Sequence, residues 1–320
     1  MADKPLLEVK DLVIHYETDD GVVKALNGVN IHIGVGETLG LVGETGAGKT
    51  TLAKGIMRLI PNPPGKILGG EVIFEGQDLL KLSTNGMEAI RGRDISMIFQ
   101  DPMTSLNPVL TVGEQIMEVI ENHNTSLSRQ EARKWAENML ERVGIPAERF
   151  GEYPHQFSGG MKQRVVIAIA LACNPKLLIA DEPTTALDVT IQAQVLDLIK
   201  DLKCKYNTSM LLITHDLGVV AETSDYVAVI YAGQILEYGS KEAVFLHPSH
   251  PYTIGLFQSL PGMNTDVRRL KPIAGSPPDP TDLPEGCAFA PRCPHAKGGC
   301  GKGEIEFREI APGHLCRCGL

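Results

Sequence analysis

A glycine-rich loop, Gly43-Glu44-Thr45-Gly46-Ala47-Gly48-Lys49-Thr50, constrains this chain more than any other feature. The apolar residues 38–42 before it form a predicted strand, and residues 51–57 after it have the pattern of a helix. Glycines let successive backbone N–H groups converge on one anion, and the helix that follows adds the positive end of its dipole. The spacing predicts that Lys49 reaches the β- and γ-phosphates of a nucleotide and that the Thr50 hydroxyl binds Mg²⁺.

The remaining pattern predicts an α/β domain with a helical insert. Residues 6–41 alternate as β-strands do, whereas residues 112–144 have helical spacing. Residues 176–181 are an apolar run of the kind that forms a buried parallel strand. An amphipathic helix is predicted over residues 191–203, and a further strand over residues 209–215.

Composition narrows the class of protein. The chain has 320 residues, 43% of them hydrophobic and 22% charged, which is ordinary for a soluble globular protein. Its net charge of -9 disfavours a dedicated nucleic-acid binder, because phosphate backbones are bound by clustered Lys and Arg. No segment approaches the roughly 18 apolar residues of a membrane-spanning helix, and residues 1–5 lack the pattern of a secretory signal. We therefore expect a cytoplasmic protein whose link to a membrane comes through a partner.

Two adjacent carboxylates stand at the end of the strand predicted at residues 176–181. Asp181 ends that strand and Glu182 follows it. Mg²⁺ takes oxygen ligands, which suits Asp181, and Glu182 can accept a proton from an attacking water. Alone, the pair would be an acidic turn in solvent; together with the phosphate loop it predicts nucleotide hydrolysis.

A second anion site is predicted at Ser158-Gly159-Gly160, which begins a predicted helix over residues 161–173. Serine is a natural N-cap, and a helix N-terminus attracts anions. One nucleotide already has its phosphates in the first loop. The second site is therefore best explained by a nucleotide held by another subunit, which predicts a dimer with shared sites.

These motifs, in this order, resemble the ATP-binding cassette (ABC) family over residues 6–240. They are Walker A (Gly43–Thr50), Gln100 in Ile98-Phe99-Gln100-Asp101-Pro102, the signature Phe157-Ser158-Gly159-Gly160-Met161, Walker B (Leu177–Glu182), the D-loop Ala186-Leu187-Asp188 and the switch His215. The resemblance implies an ABC nucleotide-binding domain. Such a domain has a P-loop core, an antiparallel β subdomain and, at about residues 101–172, a helical subdomain.

The resemblance also implies a role for each matching residue. The catalytic residues would be Glu182 as general base, His215, which holds the γ-phosphate and orients the water, and Lys49. Thr50, Gln100 and Asp181 would hold Mg²⁺. The ring of Tyr16 would stack on adenine, although a strand tyrosine also packs in cores. ATP would contact Gly43, Glu44, Thr45, Gly46, Ala47, Gly48, Lys49, Thr50, Thr51 and Gln100, with Ser158, Gly159, Gly160 and Asp188 serving the shared site of the dimer.

The signature departs from the family's usual pattern at both ends. The usual first residue is Leu and the usual last residue is Gln, whereas this chain has Phe157 and Met161. The contact of that Gln is lost, but Ser158 and both glycines remain. ATP hydrolysis is therefore expected to survive.

Longer stretches resemble the ATPase subunits of bacterial oligopeptide and dipeptide importers. They are residues 100–108, 182–190 and 250–253, together with the Phe-Ser-Gly-Gly-Met signature. The resemblance implies a peripheral ATPase on the cytoplasmic face of the cell membrane that powers peptide import. Its partners would be integral membrane permease subunits, a second ATPase (a related chain or an identical copy) and, indirectly, an extracytoplasmic peptide-binding protein, but no nucleic acid. Import of another compound such as nickel, or a non-transport ABC ATPase, are the alternatives.

Five cysteines crowd the C-terminus: Cys287, Cys293, Cys300, Cys316 and Cys318. In a reducing compartment this density favours a metal over disulfides, and four thiolates suit either zinc or a 4Fe–4S cluster. The spacings differ from the Cys-x2-Cys pattern of common zinc ribbons, which favours the cluster. Peptide importers carry a similar tail, and that resemblance implies Cys287, Cys293, Cys300 and Cys318 as ligands, with Cys316 as the alternative fourth.

These observations predict three parts. Residues 1–240 would form the nucleotide-binding domain, and residues 241–286 an extension with a Pro-rich linker. Residues 287–320 would form a small Cys-rich module that a metal folds.

Overall fold

The computed structural model describes residues 4–184, 188–259, 272–303 and 305–319. The chain divides into two compact units that interleave along the sequence. The first comprises Met1–Ile33, Thr38–Leu80 and Thr214–Leu320, and the second comprises Gly34–Glu37 and Lys81–Ile213.

The helices and strands follow one another in chain order. The first unit begins with β1 (Leu7–Thr18), β2 (Gly21–Ile33), β3 (Thr38–Val42), α1 (Lys49–Ile56), β4 (Gly65–Phe74) and β5 (Gln77–Asp78). The second unit contains α2 (Thr84–Ile90), β6 (Ile95–Ile98), α3 (Pro102–Ser105), α4 (Val112–His123), α5 (Arg129–Arg142), α6 (Gly159–Leu171), β7 (Leu177–Asp181), α7 (Val189–Tyr206) and β8 (Ser209–Ile213). The first unit resumes with α8 (Leu217–Thr223), β9 (Tyr226–Tyr231), β10 (Gln234–Ser240), α9 (Lys241–Leu246), α10 (Pro251–Gln258), β11 (Arg308–Ala311) and β12 (His314–Cys316).

Two sets of strands build the first unit. One is antiparallel with the order β2-β1-β4-β5. Strand β1 buries Leu7, Val9, Leu12 and Ile14, and an irregularity between Val9 and Leu12 shifts the alternation by one residue. The other has the order β11-β12-β10-β9-β3, in which only β3 and β9 run parallel. The antiparallel β subdomain implied by the resemblance is therefore present.

The second unit combines a parallel sheet with helices. Strands β6, β7 and β8 lie side by side and parallel, with Leu177 opposite Ile95 on one side and Ser209 on the other. Every residue of β7 and β8 is buried, as continuous apolar runs in parallel sheets require. Helices α4 and α5 each begin at a capping box. The predicted α/β fold with a helical insert is confirmed.

The Cys-rich metal-binding module expected at residues 287–320 is not found. Within the described residues, no group of three or more His, Cys, Asp or Glu side chains is placed to hold a metal ion. The assignment of Cys287, Cys293, Cys300 and Cys318, or Cys316 in place of the last, to a 4Fe–4S cluster or to zinc was therefore wrong.

The cysteine-bearing segment packs instead as part of the first unit. Strand β12 pairs with β10, which places Cys316 opposite Glu237 and buries it. Phe289 is also buried, with its ring edge-on to Tyr231. Burial raises the pKa of the Cys287 and Cys316 thiols, as it does for a cysteine packed among apolar side chains. Aromatic packing and strand pairing thus order this segment.

None of the helices in the described ranges is both long enough and apolar enough to cross a membrane.

Candidate functional site

The glycine-rich loop joins β3 to α1, the context that the sequence predicts. Gly48 is the N-cap of α1 with φ +105°, and a Cβ there would lie 2.6 Å from the carbonyl oxygen of Ala25. A Cβ on Gly43 would lie 2.2 Å from the carbonyl oxygen of Ile230. Both contacts are with backbone, so only glycine fits these two positions.

Lys49 turns back over the loop. Its ammonium group donates to the carbonyl oxygens of Gly43 at 2.7 Å and Glu44 at 3.0 Å, and the residue is only 8% exposed. The loop thus holds one buried cation beside its backbone N–H groups, which suits a phosphate. The other predicted loop positions differ in exposure: Ala47 is buried, Thr50 and Thr51 are half-buried, and Thr45 and Gly46 are exposed.

Glu44 makes contacts that the sequence did not predict. Its backbone N–H donates to the Tyr252 hydroxyl at 2.9 Å, and its carboxylate accepts from Arg292 at 2.7 Å and 3.1 Å. Both partners lie more than 200 positions along the chain, so no local pattern could have revealed them.

In the second unit the two predicted carboxylates lie at the end of β7. Asp181 is 1% exposed, and Glu182 follows with φ +47°, a left-handed conformation that is costly for a side-chain-bearing residue. The Glu182 N–H donates to the Ile213 carbonyl at 2.8 Å, which holds that conformation. Gln100 Nε2 donates to Glu182 Oε2 at 2.9 Å. The structure thus joins Gln100 directly to Glu182.

The residues assigned to Mg²⁺ have the right chemistry for it. Thr50, Gln100 and Asp181 supply hydroxyl, amide and carboxylate oxygens, the ligand types that this hard cation takes. Because the Gln100 amide nitrogen is used by Glu182, its amide oxygen is the atom available for a cation. Each of these donor types therefore fits magnesium.

The predicted second anion site is a helix N-terminus. Ser158 is the N-cap of α6, and its side chain accepts from the Met161 N–H at 3.4 Å. A Cβ on Gly160 would lie 2.8 Å from Ile191 Cγ2, so this position favours glycine.

Arg149 contacts both of the unusual residues of the signature. Its guanidinium lies 4.2 Å from the centre of the Phe157 ring, and its Nη1 lies 3.3 Å from Met161 Sδ. The two residues that depart from the family pattern therefore contact the same arginine, which also pairs with Glu152. Arg149 makes a cation–π contact with the first of them and a sulfur contact with the second. The sequence signal was the simultaneous change at both ends of the motif.

Gln163 is a second residue that sequence reasoning missed. It lies on α6, is 0% exposed, and its side-chain amide donates to the Pro183 carbonyl. Pro183 directly follows Glu182. The helix that carries the signature is thus hydrogen-bonded to the segment that carries the proposed base.

Tyr16, His215 and Asp188 lie on or beside three other elements. Tyr16 is half-buried on β1 beside Gly65, where a Cβ would lie 2.9 Å from its ring. His215 is exposed just before α8, next to Asp216, which caps that helix. Asp188 is exposed at the N-cap of α7, while Ala186 and Leu187 of the D-loop lie outside the described residues. Tyr16, the glycine-rich loop and His215 belong to the first unit, and Gln100, Ser158–Gly160, Asp181, Glu182 and Asp188 to the second.

Comparison with known proteins places these motifs in a family. The profile described as "ABC transporter" matches residues 26–185, and the profile described as "Oligopeptide/dipeptide transporter, C-terminal region" matches residues 236–300. The chain is 56% identical to the oligopeptide transport ATP-binding protein OppD of Bacillus subtilis, over 96% of this chain and 85% of that protein. It is 52% identical to the oligopeptide transport ATP-binding protein AppD of the same organism, over 98% and 96%. It is 51% identical to the dipeptide transport ATP-binding protein DppD of that organism, over 91% and 87%.

A solved structure agrees with the sequence comparison. A dimeric ATP-binding cassette in a post-hydrolysis state, bound to ADP and Pi, superposes with a TM-score of 0.66 at 29% identity, over 73% of this chain and 98% of that one. The chain therefore belongs to the ABC transporter family, among the ATP-binding proteins that carry the oligopeptide/dipeptide transporter C-terminal region.

Proposed function

We propose that this chain is the ATP-hydrolysing subunit of an ABC importer for dipeptides and oligopeptides. One observation carries the choice of substrate class. Relatives named for oligopeptide and dipeptide transport are 51–56% identical to this chain, and the similarity continues past the nucleotide-binding motifs into the region at residues 236–300. Import of another compound, such as nickel, has no comparable support.

The glycine-rich loop is the proposed phosphate site. We assign the polyphosphate to the backbone N–H groups of residues 43–51 and to Lys49, because an ammonium group already lies inside the loop. Tyr16 is assigned to the adenine ring, which a half-buried tyrosine can stack on. Thr50, Gln100 and Asp181 are assigned to Mg²⁺, which when bound offsets the charge of the phosphates.

Glu182 is the proposed general base. The hydrolysis forms a bond from a water oxygen to the γ-phosphorus and breaks the bond from that phosphorus to the β–γ bridging oxygen, giving ADP and phosphate. The water proton passes to the Glu182 carboxylate. Gln100 orients that carboxylate through the hydrogen bond from its Nε2 to Glu182 Oε2 at 2.9 Å. His215 is assigned to hold the γ-phosphate and orient the water. Positioning and charge stabilisation supply most of the catalysis in such reactions.

Two ATPase subunits are proposed to share the nucleotides. Ser158, Gly159 and Gly160 begin α6 and offer N–H groups to an anion, and Asp188 is exposed at the start of α7. A dimeric cassette among the similar solved structures supports this arrangement. We assign the second subunit to a related chain, with an identical copy as the alternative outcome.

The proposed location is the cytoplasmic face of the cell membrane. Attachment is assigned to integral membrane permease subunits, because the similar proteins are ATP-binding proteins of oligopeptide and dipeptide transport. An extracytoplasmic peptide-binding protein would deliver the substrate. The net charge of -9 gives no support to nucleic acid as a partner.

Purification of the tagged full chain with its native membrane tests this function. We expect permease subunits and a second ATPase to co-purify, and peptide with the binding protein to stimulate ATP hydrolysis after reconstitution in vesicles. Lys49→Ala should abolish the stimulation. Stimulation by nickel and not by peptide would replace the substrate class, and stable association with ribosomes or DNA would contradict a transporter.

A further inference from the structure

Arg292, in the C-terminal part of the chain, forms an ion pair with Glu44, the second residue of the phosphate loop. Arg292 donates to both carboxylate oxygens of Glu44, from Nη1 at 2.7 Å and from Nη2 at 3.1 Å. Two parallel N–H···O contacts make this a bidentate pair, the geometry in which arginine binds a carboxylate most strongly. Both residues belong to the first unit.

Arg292 is built into the protein. Its side chain is 5% exposed, whereas that of Glu44 is 27% exposed. It also donates to the Tyr231 hydroxyl at 3.2 Å and to the carbonyl oxygens of Ala274 at 3.0 Å and Ile273 at 3.4 Å. The hydrogen bond to Glu44 raises the pKa of Arg292, so this arginine is always charged. An ion pair whose arginine is buried and fully hydrogen-bonded differs from a surface ion pair, which contributes little.

An aromatic cluster supports the same loop residue. Tyr231, Tyr252 and Phe289 are each at most 1% exposed, with ring centres 4.6–5.4 Å apart. The Tyr252 hydroxyl accepts from the Glu44 N–H at 2.9 Å. Phe289 precedes Arg292 by one helical turn. The cluster therefore fixes the Glu44 backbone while Arg292 fixes its carboxylate.

A carboxylate in a phosphate-binding loop carries an electrostatic cost. Like charges a few ångströms apart near a protein surface repel each other, so a negative side chain in the loop opposes a bound polyphosphate. The backbone carbonyl oxygen of Glu44 accepts a hydrogen bond from Lys49 Nζ at 3.0 Å, and Lys49 is assigned to the phosphates. Neutralising and immobilising the Glu44 carboxylate removes this repulsion.

We propose that Arg292 is a positioning residue for ATP, which neutralises and immobilises Glu44 from the C-terminal region of the chain. The proposal rests on the proposed ATP site at Gly43–Thr50. It assigns to residues 236–300 a contribution to nucleotide binding in addition to any role in transport. ATP affinity and the packing of this region are then coupled through one ion pair.

A series of substitutions at Arg292 and Glu44 in the full chain tests the proposal. The variants are Arg292→Ala, Arg292→Lys, Glu44→Gln and the double variant Arg292→Ala with Glu44→Gln. Arg308→Ala is the control, since Arg308 is an exposed arginine on β11. The dissociation constant for MgATP is measured by competition with a fluorescent ATP analogue, alongside kcat, KM and Tm.

Arg292→Ala should weaken MgATP binding by about tenfold or more and raise KM more than it lowers kcat, within the usual range of such couplings. Arg292→Lys keeps the charge but loses the bidentate guanidinium geometry. Its MgATP affinity should therefore lie between that of Arg292→Ala and that of the native chain. Glu44→Gln should tighten binding because a negative charge beside the phosphates is removed. The double variant should recover to within about threefold of the native affinity, and Arg308→Ala should not change it.

A folded Arg292→Ala chain with native MgATP affinity overturns the proposal, as does a double variant that binds no better than Arg292→Ala. If Arg292→Ala fails to fold, Arg292→Lys with and without Glu44→Gln gives the same comparison. A purely structural arginine would lower Tm without this rescue. Lys49→Ala distinguishes a failure of the proposed function from a failure of this inference. If the native chain binds no MgATP, the proposed function fails; if binding depends on Lys49 but not on Arg292, only this inference fails.

Discussion

Gln100 Nε2 donates a 2.9 Å hydrogen bond to Glu182 Oε2, which ties the residue proposed at magnesium to the proposed general base. Glu182 already occupies a left-handed conformation with φ +47°. Backbone strain of this kind persists where the surroundings fix it and is common at functional sites. The hydrogen bond and the strained backbone together define where the Glu182 carboxylate lies.

Glu182→Gln should bind MgATP with native affinity and lose about a hundredfold or more in kcat, because the amide cannot accept the proton from the attacking water. The dissociation constant and the steady-state rate of phosphate release measure the two effects. Glu222→Gln, an exposed position on α8, is the control and should keep its rate. Native turnover in Glu182→Gln would remove Glu182 as the base.

Gln100→Ala should lower kcat by about tenfold, since Glu182 loses the partner that orients it. Gln100→Glu should lower kcat further, because two adjacent carboxylates repel and raise the pKa of the pair. The dependence of kcat on pH is the decisive measurement. Its acidic limb should move to higher pH in Gln100→Glu only, and a profile identical to that of the native chain would contradict the orienting role.

Arg149→Ala should lower kcat several-fold with little change in MgATP affinity. The variant removes the side chain that packs on both Phe157 and Met161, so the N-terminus of α6 loses its support. Arg133→Ala is a matched control, since Arg133 lies 4.6 Å from the centre of the Phe150 ring and pairs with the half-buried Glu137. Equal losses in the two variants would show that the signature gains nothing specific from Arg149.

Stability should fall in mild acid because of His250. Burial lowers the pKa of His250 to about 4 from 6.5, and its Nδ1 accepts from the Tyr252 N–H at 3.0 Å. Between these two pH values the unfolded chain binds a proton at His250 that the folded chain does not. The free energy of unfolding therefore decreases as pH falls from 6.5 to 4, by at most about 1.4 kcal/mol per pH unit from this group.

His250→Asn should flatten this dependence, because asparagine keeps an N-cap acceptor and does not titrate. Denaturant unfolding at several pH values measures it. His247→Asn, an exposed neighbour, should retain the native slope. The same slope in His250→Asn as in the native chain would assign the acid sensitivity to other groups.

The nucleotide motifs could be predicted because each is local. The spacing of Gly43, Gly48 and Lys49 is set by one turn between β3 and α1, and Asp181 and Glu182 stand next to each other at the end of β7. Short-range periodicity likewise indicated the parallel strands and the helical insert. The family resemblance followed from the order of these local signals.

The structure of the C-terminal region could not be predicted from local sequence patterns. Five cysteines within residues 287–318 indicated a metal centre. Phe289 and Cys316 are instead buried within the first unit, and the described residues contain no group of three or more His, Cys, Asp or Glu side chains placed to hold a metal ion. Cysteine density does not distinguish a ligand from a small buried side chain, because that depends on which elements the segment packs against.

The glycine loop, the paired carboxylates and the α/β pattern were determined by the sequence itself, since they depend on neighbouring residues and on repeats of two or 3.6 positions. Tertiary structure alone decided that Arg292 reaches Glu44 across 248 positions, that Arg149 supports both altered ends of the signature, and that Gln100 holds Glu182. The physical reason is distance along the chain. A hydrogen bond between remote residues forms only when packing brings them together, and it leaves no periodic trace in the sequence.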